Sequence, residues 1–333
     1  MSTSREHPDR WAPKRRAAVA VLLWPLVITL AGLGLLLSFV GQLPEPVATH
    51  WGTGDVPDGF SSRDSLPWLT LMGLVTSWAL GALLLAVGGR DGMHRRLSVG
   101  FAAGIAAFMA AVVVGTAWVQ RGLADARDAT GVEWPLVAAL LGSIGVGLVA
   151  ALTVPGAAAD SARATGPVPA DAPRTALSSG KRPVWSRLAV PSSGLWVGAG
   201  VLTAVLLGMA LLTRMWVFSL IMLVITVGSM LAFTTFRVTA GESGLTVRST
   251  VGLPTWRVPL EDVVEVTVTK VNPLREFGGW GYRLGLDGRT GFVVRSGEAL
   301  QVERGNGTFW VVTVDDADEG AALLNTLAEQ ARS

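Results

Sequence analysis

The sequence predicts an α-helical integral membrane protein of about six transmembrane helices, followed by a C-terminal cytoplasmic α+β domain capped by a helix. Three observations predict it. Half of the 333 residues are hydrophobic and only 16% are charged, a balance foreign to a water-soluble domain. Six apolar stretches approach the roughly 20 helical residues needed to cross the hydrocarbon core. From Phe236 onward, the long apolar runs give way to short alternating ones broken by Gly, Asp and Asn, the pattern of strands and turns.

The chain opens with a basic tail, 1–16. The apolar stretches follow at 17–40, 68–87, 97–119, 134–154, 195–212 and 215–233. The first reads as a retained anchor, because it exceeds the roughly 7–15 apolar residues of a cleaved signal and no small-x-small site follows it. Trp24-Pro25 predicts a kink inside it. Gly100 and Gly104 form a small-xxx-small pair, read as helix packing within one chain rather than dimerisation. Only Thr213 and Arg214 separate the last two stretches, which predicts a two-span hairpin over 191–235. The first four stretches form a separate unit, 17–154. Between the two lies 155–190, rich in Ala, Pro, Ser and Gly, which predicts a flexible cytoplasmic linker.

Lys and Arg in short loops resist translocation and set topology. The N-terminal tail, the loop after the second stretch and the linker together carry 13 such residues (Arg5, Arg10, Lys14, Arg15, Arg16; Arg90, Arg95, Arg96; Arg163, Arg174, Lys181, Arg182, Arg187). The opposite loops carry 4, namely Arg63, Arg121, Arg127 and Arg214. Both termini are therefore expected in the cytoplasm of a plasma-membrane protein, and the segment 43–63 outside. The part beyond Thr235 holds 10 basic and 13 acidic residues, so nucleic acid is not an expected partner.

In 236–333, FRVTAGESGLTVRST reads as two strands. Trp256, Val258 and Leu260 alternate on another, and Val264, Val266 and Val268 on the next. Further strands follow at 282–286, 291–295, 300–303 and 308–314. Asp315-Asp316 then offers an N-cap to a helix reaching about Ala331, with Ala321, Leu324 and Leu327 on its inner face. Short strands closed by one helix form the plan of a pleckstrin-homology-like β-barrel.

The segment 43–63, LPEPVATHWGTGDVPDGFSSR, is unlike the stretches around it. Its Leu43-Pro-Glu-Pro-Val-Ala-Thr-His-Trp-Gly run, followed by Pro57-Asp-Gly-Phe and Ser62-Arg63, resembles the signature of a bacterial membrane family, domain of unknown function 1648. That domain also precedes the SdpI domain in SdpI-type membrane proteins, known for immunity against a secreted peptide toxin and for signalling through a membrane-held repressor. The SdpI domain itself has no counterpart in the later stretches. The C-terminal part, including Asn272-Pro-Leu-Arg-Glu-Phe-Gly-Gly-Trp-Gly-Tyr-Arg283, resembles bacterial pleckstrin-homology-like domains.

Two readings of 43–63 stand side by side. Pro57-Asp58-Gly59 has the chemistry of a turn, and the whole segment would serve as a rigid cap on the first two spans. Alternatively, His50, Trp51, Asp55 and Asp58 converge as an outward ligand site. A metal there is a weak reading, since zinc wants three or four protein ligands and the chain has only three His and no Cys. In the C-terminal part, Lys270, Arg275, Trp280 and Arg283 combine basic and aromatic character suited to an anionic membrane surface. The competing reading puts Phe277 and Trp280 in packing and the charges in water. No nucleophile-elbow, zincin or phosphate-loop motif occurs, so no enzyme and no cofactor are expected. The apolar stretches contain no ionisable residue, which argues against ion-coupled transport. The expected partners are the lipid bilayer and an extracellular peptide or another membrane protein. The expected role is envelope sensing or peptide immunity, the alternative a passive transporter or its accessory subunit.

Overall fold

The computed structural model describes residues 12–88, 92–156, 162–177, 183–285 and 287–332. His7 and five residues of the charge bias (Arg5, Arg10, Arg90, Lys181 and Arg182) lie outside them. The chain divides into two compact units, Met1–Ala159 with Val205–Met222, and Asp160–Ala204 with Leu223–Ser333.

Six helices are long and apolar enough to cross a membrane: α1 (Ala12–Phe39), α2 (Leu66–Gly88), α3 (Gly92–Trp118), α4 (Glu133–Leu152), α5 (Ser193–Thr213) and α6 (Trp216–Thr234). They outrun the apolar stretches, so ionisable residues such as Arg15, Arg95 and Glu133 fall in their first turns. α1 continues through Pro25. In the first unit α3 is the central element, packed on α1, α2 and α4. Its buried face is Val99, Ala102, Ala103, Ala106, Ala110 and Val113. In lipid no hydrophobic effect drives helices together, so close backbone approach across small residues takes over. Gly100 and Gly104 serve this purpose within the chain. A Cβ at Gly100 would lie 2.8 Å from the Gly147 carbonyl oxygen, and one at Gly147 would lie 2.7 Å from that of Gly100.

α5 and α6 are separate helices, broken at Arg214, whose φ of 60° is left-handed. The Glu133 carboxylate caps the start of α6, accepting the Val217 and Phe218 amides at 2.9 and 3.2 Å. It meets the partial positive charge of that helix end.

The second unit holds two sheets. One is antiparallel in the order β3-β4-β5-β6, from β3 (Trp185–Ala189), β4 (Phe236–Gly241), β5 (Gly244–Ser249) and β6 (Thr255–Val258). The other runs β7-β10-β11-β9-β8, from β7 (Val263–Val271), β8 (Gly281–Leu284), β9 (Thr290–Val293), β10 (Gly297–Arg304) and β11 (Phe309–Thr313). A remaining pair, β1 (Val47–Trp51) and β2 (Pro57–Ser61), belongs to the first unit.

The barrel expectation needs correcting. The described strands form no closed barrel: β9 pairs with β11 in parallel, and the two sheets are separate. Pro259 and the short 3-10 turn Leu260–Asp262 end the first sheet and carry the chain over to the second. The sheets meet through aromatic rings instead. Phe236 and Trp256 of one lie 5.6 and 5.0 Å, centroid to centroid, from Phe292 of the other, and Trp256 stacks on Tyr282 at 4.9 Å. Such pairs contribute about 0.5–1.5 kcal/mol each beyond the area they bury.

The stretch 155–190 also departs from expectation. Trp185–Ala189 is a strand, β3, paired residue for residue with β4 from Ala189↔Phe236 to Trp185↔Ala240. Upstream, Val168 and Ala172 are buried, and Arg174 binds Glu329 at 2.8 Å. This contact holds the Glu329 carboxyl below its usual range.

α8 (Ala317–Gln330) has the expected inner face, with Ala321, Leu324 and Leu327 buried, and it touches strands of both sheets. Its predicted cap is absent. Asp316 is itself left-handed and makes no capping bond. Asp316 instead binds Arg187 of β3 at 2.8 Å, and Asp315 binds Arg295 at 2.5 Å. The Arg187 guanidinium, held by Asp316, is raised above its ordinary pKa.

Asn325, fully buried on α8, closes the free edge of β7. Its carboxamide accepts from Val266 N and donates to Val266 O, both at 2.8 Å. It also donates to Pro173 O at 3.1 Å. Replacing Asn325 with Leu strands two buried backbone groups, at about 1–3 kcal/mol each. Chemical denaturation followed by tryptophan fluorescence should show a loss of about 2–6 kcal/mol. An unchanged midpoint would mean the edge is not held this way.

Candidate functional site

The segment 43–63 folds as a short antiparallel hairpin over the ends of helices in the first unit. Leu43 and Val47 are buried with Leu36, Phe39, Leu66 and Val113, which fastens its base. The turn is not where the sequence suggests. Pro57, Asp58 and Gly59 lie within β2. The chain reverses over Gly52–Val56, closed by Gly52 N to Val56 O at 2.8 Å, with Gly54 and Asp55 both left-handed. The role of Gly59 is different: it faces His50 across the pair, and a Cβ there would lie 2.8 Å from the His50 Cβ.

Three contacts pin the hairpin to the connection between α3 and α4. Gln120 is buried and pairs with both backbone groups of Ala48, accepting from N at 2.8 Å and donating to O at 2.9 Å. The Trp51 indole N–H donates to Ala129 O at 2.9 Å. The Asp55 carboxylate accepts the Gly131 and Val132 amides. On the flanks, Arg121 donates to Gln42 Oε1 at 2.7 Å while lying over the Trp118 ring, and the Arg63 amide donates to Glu45 at 3.0 Å.

The four predicted ligand residues therefore divide. His50 and Asp58 come together, Nδ1 to Oδ1 at 2.5 Å, with both side chains more than half exposed. Trp51 and Asp55 face the 129–132 connection and are spent on anchoring. Thr49 and Ser61, the neighbouring hydroxyls, bond each other at 3.2 Å rather than His50. His50 thus has an orienting carboxylate but activates no nucleophile in this arrangement. Among the described residues no three His, Cys, Asp or Glu side chains gather to hold a metal. What the site can offer is a rigid surface imidazole–carboxylate pair. Gln120, Arg121 and Gly131 were not legible as part of it. The one hint was a Gln-Arg dipeptide at the end of an otherwise apolar stretch.

Lys270 and Arg283 sit on the two opposite edge strands of the five-stranded sheet, and both are exposed, as is Arg275. Arg275 belongs to the short helix α7 (Pro273–Phe277), whose Asn272 caps it. Phe277 is core, covering Gly291 and Gly285. Trp280 is half-buried, and its carbonyl accepts from Arg283 at 2.9 Å. Next to it, a Cβ at Gly281 would lie 2.7 Å from the carbonyl oxygen of Phe233, in the last turn of α6. Trp280 and Arg283 thus stand beside the end of a candidate span.

No family model, curated protein or solved structure matches the chain.

Gln120→Leu removes both bonds to Ala48 inside the protein, at a cost of about 2–4 kcal/mol. It should lower the thermal midpoint in detergent and expose the hairpin to protease. His50→Ala should leave both unchanged, because exposed pairs contribute little. Equal effects of the two substitutions would refute the assignment of Gln120 as the anchor.

Proposed function

We propose that this chain is a non-enzymatic, multi-pass plasma-membrane protein that displays the β1–β2 hairpin outward and holds its C-terminal domain in the cytoplasm. The hairpin recognises an extracellular peptide, or the outer segment of another membrane protein, in envelope sensing or peptide immunity. One observation carries the reading. The buried bonds of Gln120 to Ala48 and the bonds of Trp51 and Asp55 all tie the hairpin to the 120–132 connection, while the His50–Asp58 pair is left in solvent. A surface held rigid before binding loses little entropy when a partner docks. The likeness of 43–63 to domain of unknown function 1648, and through it to SdpI-type proteins, supports the same direction.

The orientation rests on the charge bias of 13 against 4. The β3–β4 pairing supports an even number of crossings by α5 and α6, since adjacent strands cannot lie on opposite sides of a bilayer, and the side itself rests on the charge bias alone. Passive transport is the competing reading. Ala and Val make up the middle of the buried face of α3, with Arg95 and Ser98 confined to one end, which favours recognition.

Two measurements test this. Cysteine at Thr53, exposed in the hairpin turn, should react with an impermeant maleimide in intact cells, while cysteine at Ser243, exposed in the β4–β5 turn, should react only after lysis. The absence of native cysteine makes the labelling clean; the reverse pattern would invert the topology. Deletion of the gene should sensitise cells to envelope-active peptides, and a His50→Ala, Asp58→Ala copy should fail to restore resistance. Full restoration by that copy would remove the pair from the site.

A further inference from the structure

The far end of α1 carries an unassigned feature. Arg15, Arg16, Val19, Leu23 and Trp24 of α1 and Thr153, just past α4, line an open groove of about 520 Å³. Positions 15–16, 19–20 and 23–24 recur every four residues and so share one helix face. That face is graded, with two cations at one end and apolar side chains and an indole below them. Trp24 is fixed in place, its N–H donating to Thr153 Oγ1 at 3.4 Å while Thr153 donates to Ala150 O at 2.6 Å. Arg15 and Arg16 are exposed, and among the described residues neither has an acidic partner. The neighbouring basic residues differ: Arg96 is spent on Val154 O at 2.9 Å.

We propose that this groove binds a single anionic phospholipid, its phosphate bridging Arg15 and Arg16 and one acyl chain lying against Val19, Leu23 and Trp24. The dimensions fit. Eight residues separate Arg16 from Trp24, about 12 Å along the helix, against a leaflet hydrocarbon depth of roughly 15 Å. α1 lies within a candidate span, so its upper turns meet the headgroup level of one leaflet. Guanidinium groups hold phosphate oxygens through paired N–H donors. A zwitterionic lipid brings its own cation beside the phosphate and satisfies these two arginines less well. A second helix in the groove would leave both arginines without a counter-charge, unless it carried acids of its own.

The full-length protein, purified in neutral detergent, would be titrated with phosphatidylglycerol and with phosphatidylcholine of the same chains. Lipid retention would be read by native mass spectrometry, and contact with Trp24 by the part of the quenching from brominated chains that Trp24→Phe removes. Phosphatidylglycerol should be retained at least ten-fold more tightly. Arg15→Gln with Arg16→Gln should abolish that preference, at roughly five-fold per arginine, while Arg15→Lys with Arg16→Lys should keep most of it. Ala20→Trp, filling the groove, should reduce phosphatidylglycerol retention with both arginines intact. Equal retention of the two lipids, or an unchanged preference in the double Gln variant, would overturn the proposal. So would displacement of phosphatidylglycerol by millimolar inorganic phosphate alone, which would mark a free-anion site, or occupancy of the groove by a second copy of the chain.

Discussion

A buried carboxamide laid against one residue of an edge strand is the interaction on which both units depend. In the first unit Gln120 does this to Ala48, and in the second Asn325 does it to Val266. A primary amide carries a donor and an acceptor at the same spacing as a strand residue, so it completes a ladder without a further strand. The edge of a two-stranded hairpin is otherwise a liability, and such a hairpin alone is marginal in water. With Gln120 in place, Val47 and Ala48 can be buried, the turn can be stitched by Trp51 and Asp55, and the outer surface can be rigid. With Asn325 in place, α8 is locked onto β7 and the 162–177 segment is tied in through Pro173 O.

The two units are packed differently. The helical unit is held by small residues that let backbones touch, as at Gly100 and Gly147. The sheet unit is held by large rings, with Phe236, Trp256, Phe292 and Trp310 filling the space between its layers. Among the described residues a buried ion pair, Arg304 with Asp262 at 3.4 Å, lies against the Trp310 ring. Its Coulomb gain is set against the cost of desolvating both charges, so its contribution is to alignment more than to stability.

The apolar stretches were legible because a run of about twenty lipid-compatible residues rarely serves any purpose but crossing a bilayer. The inner face of α8 was legible because its 3.6-residue period is local. The barrel was not, because what decides against it is non-local: a parallel β9–β11 pairing and a change of sheet at Pro259 leave no periodic trace. β3 was hidden for a related reason. Its five residues follow a Pro- and Ala-rich stretch and find their partner 45 residues or more away, beyond two membrane helices. At the hairpin, the destinations of the side chains leave no local trace in the sequence. Trp51 and Asp55 bind backbone atoms of residues 129–132, which any sequence would supply. Pro57-Asp58-Gly59 looked like a turn, yet its glycine is there to make room for His50.

The pairing of Ala189 with Phe236 makes the last two membrane helices an insertion between neighbouring antiparallel strands. Strands so placed are ordinarily joined by about two to five residues. Replacing 190–235 with such a turn would therefore leave every rung of the β3–β4 ladder in register. In this sense α5 and α6 form a long insertion in a sheet whose pairing does not need them.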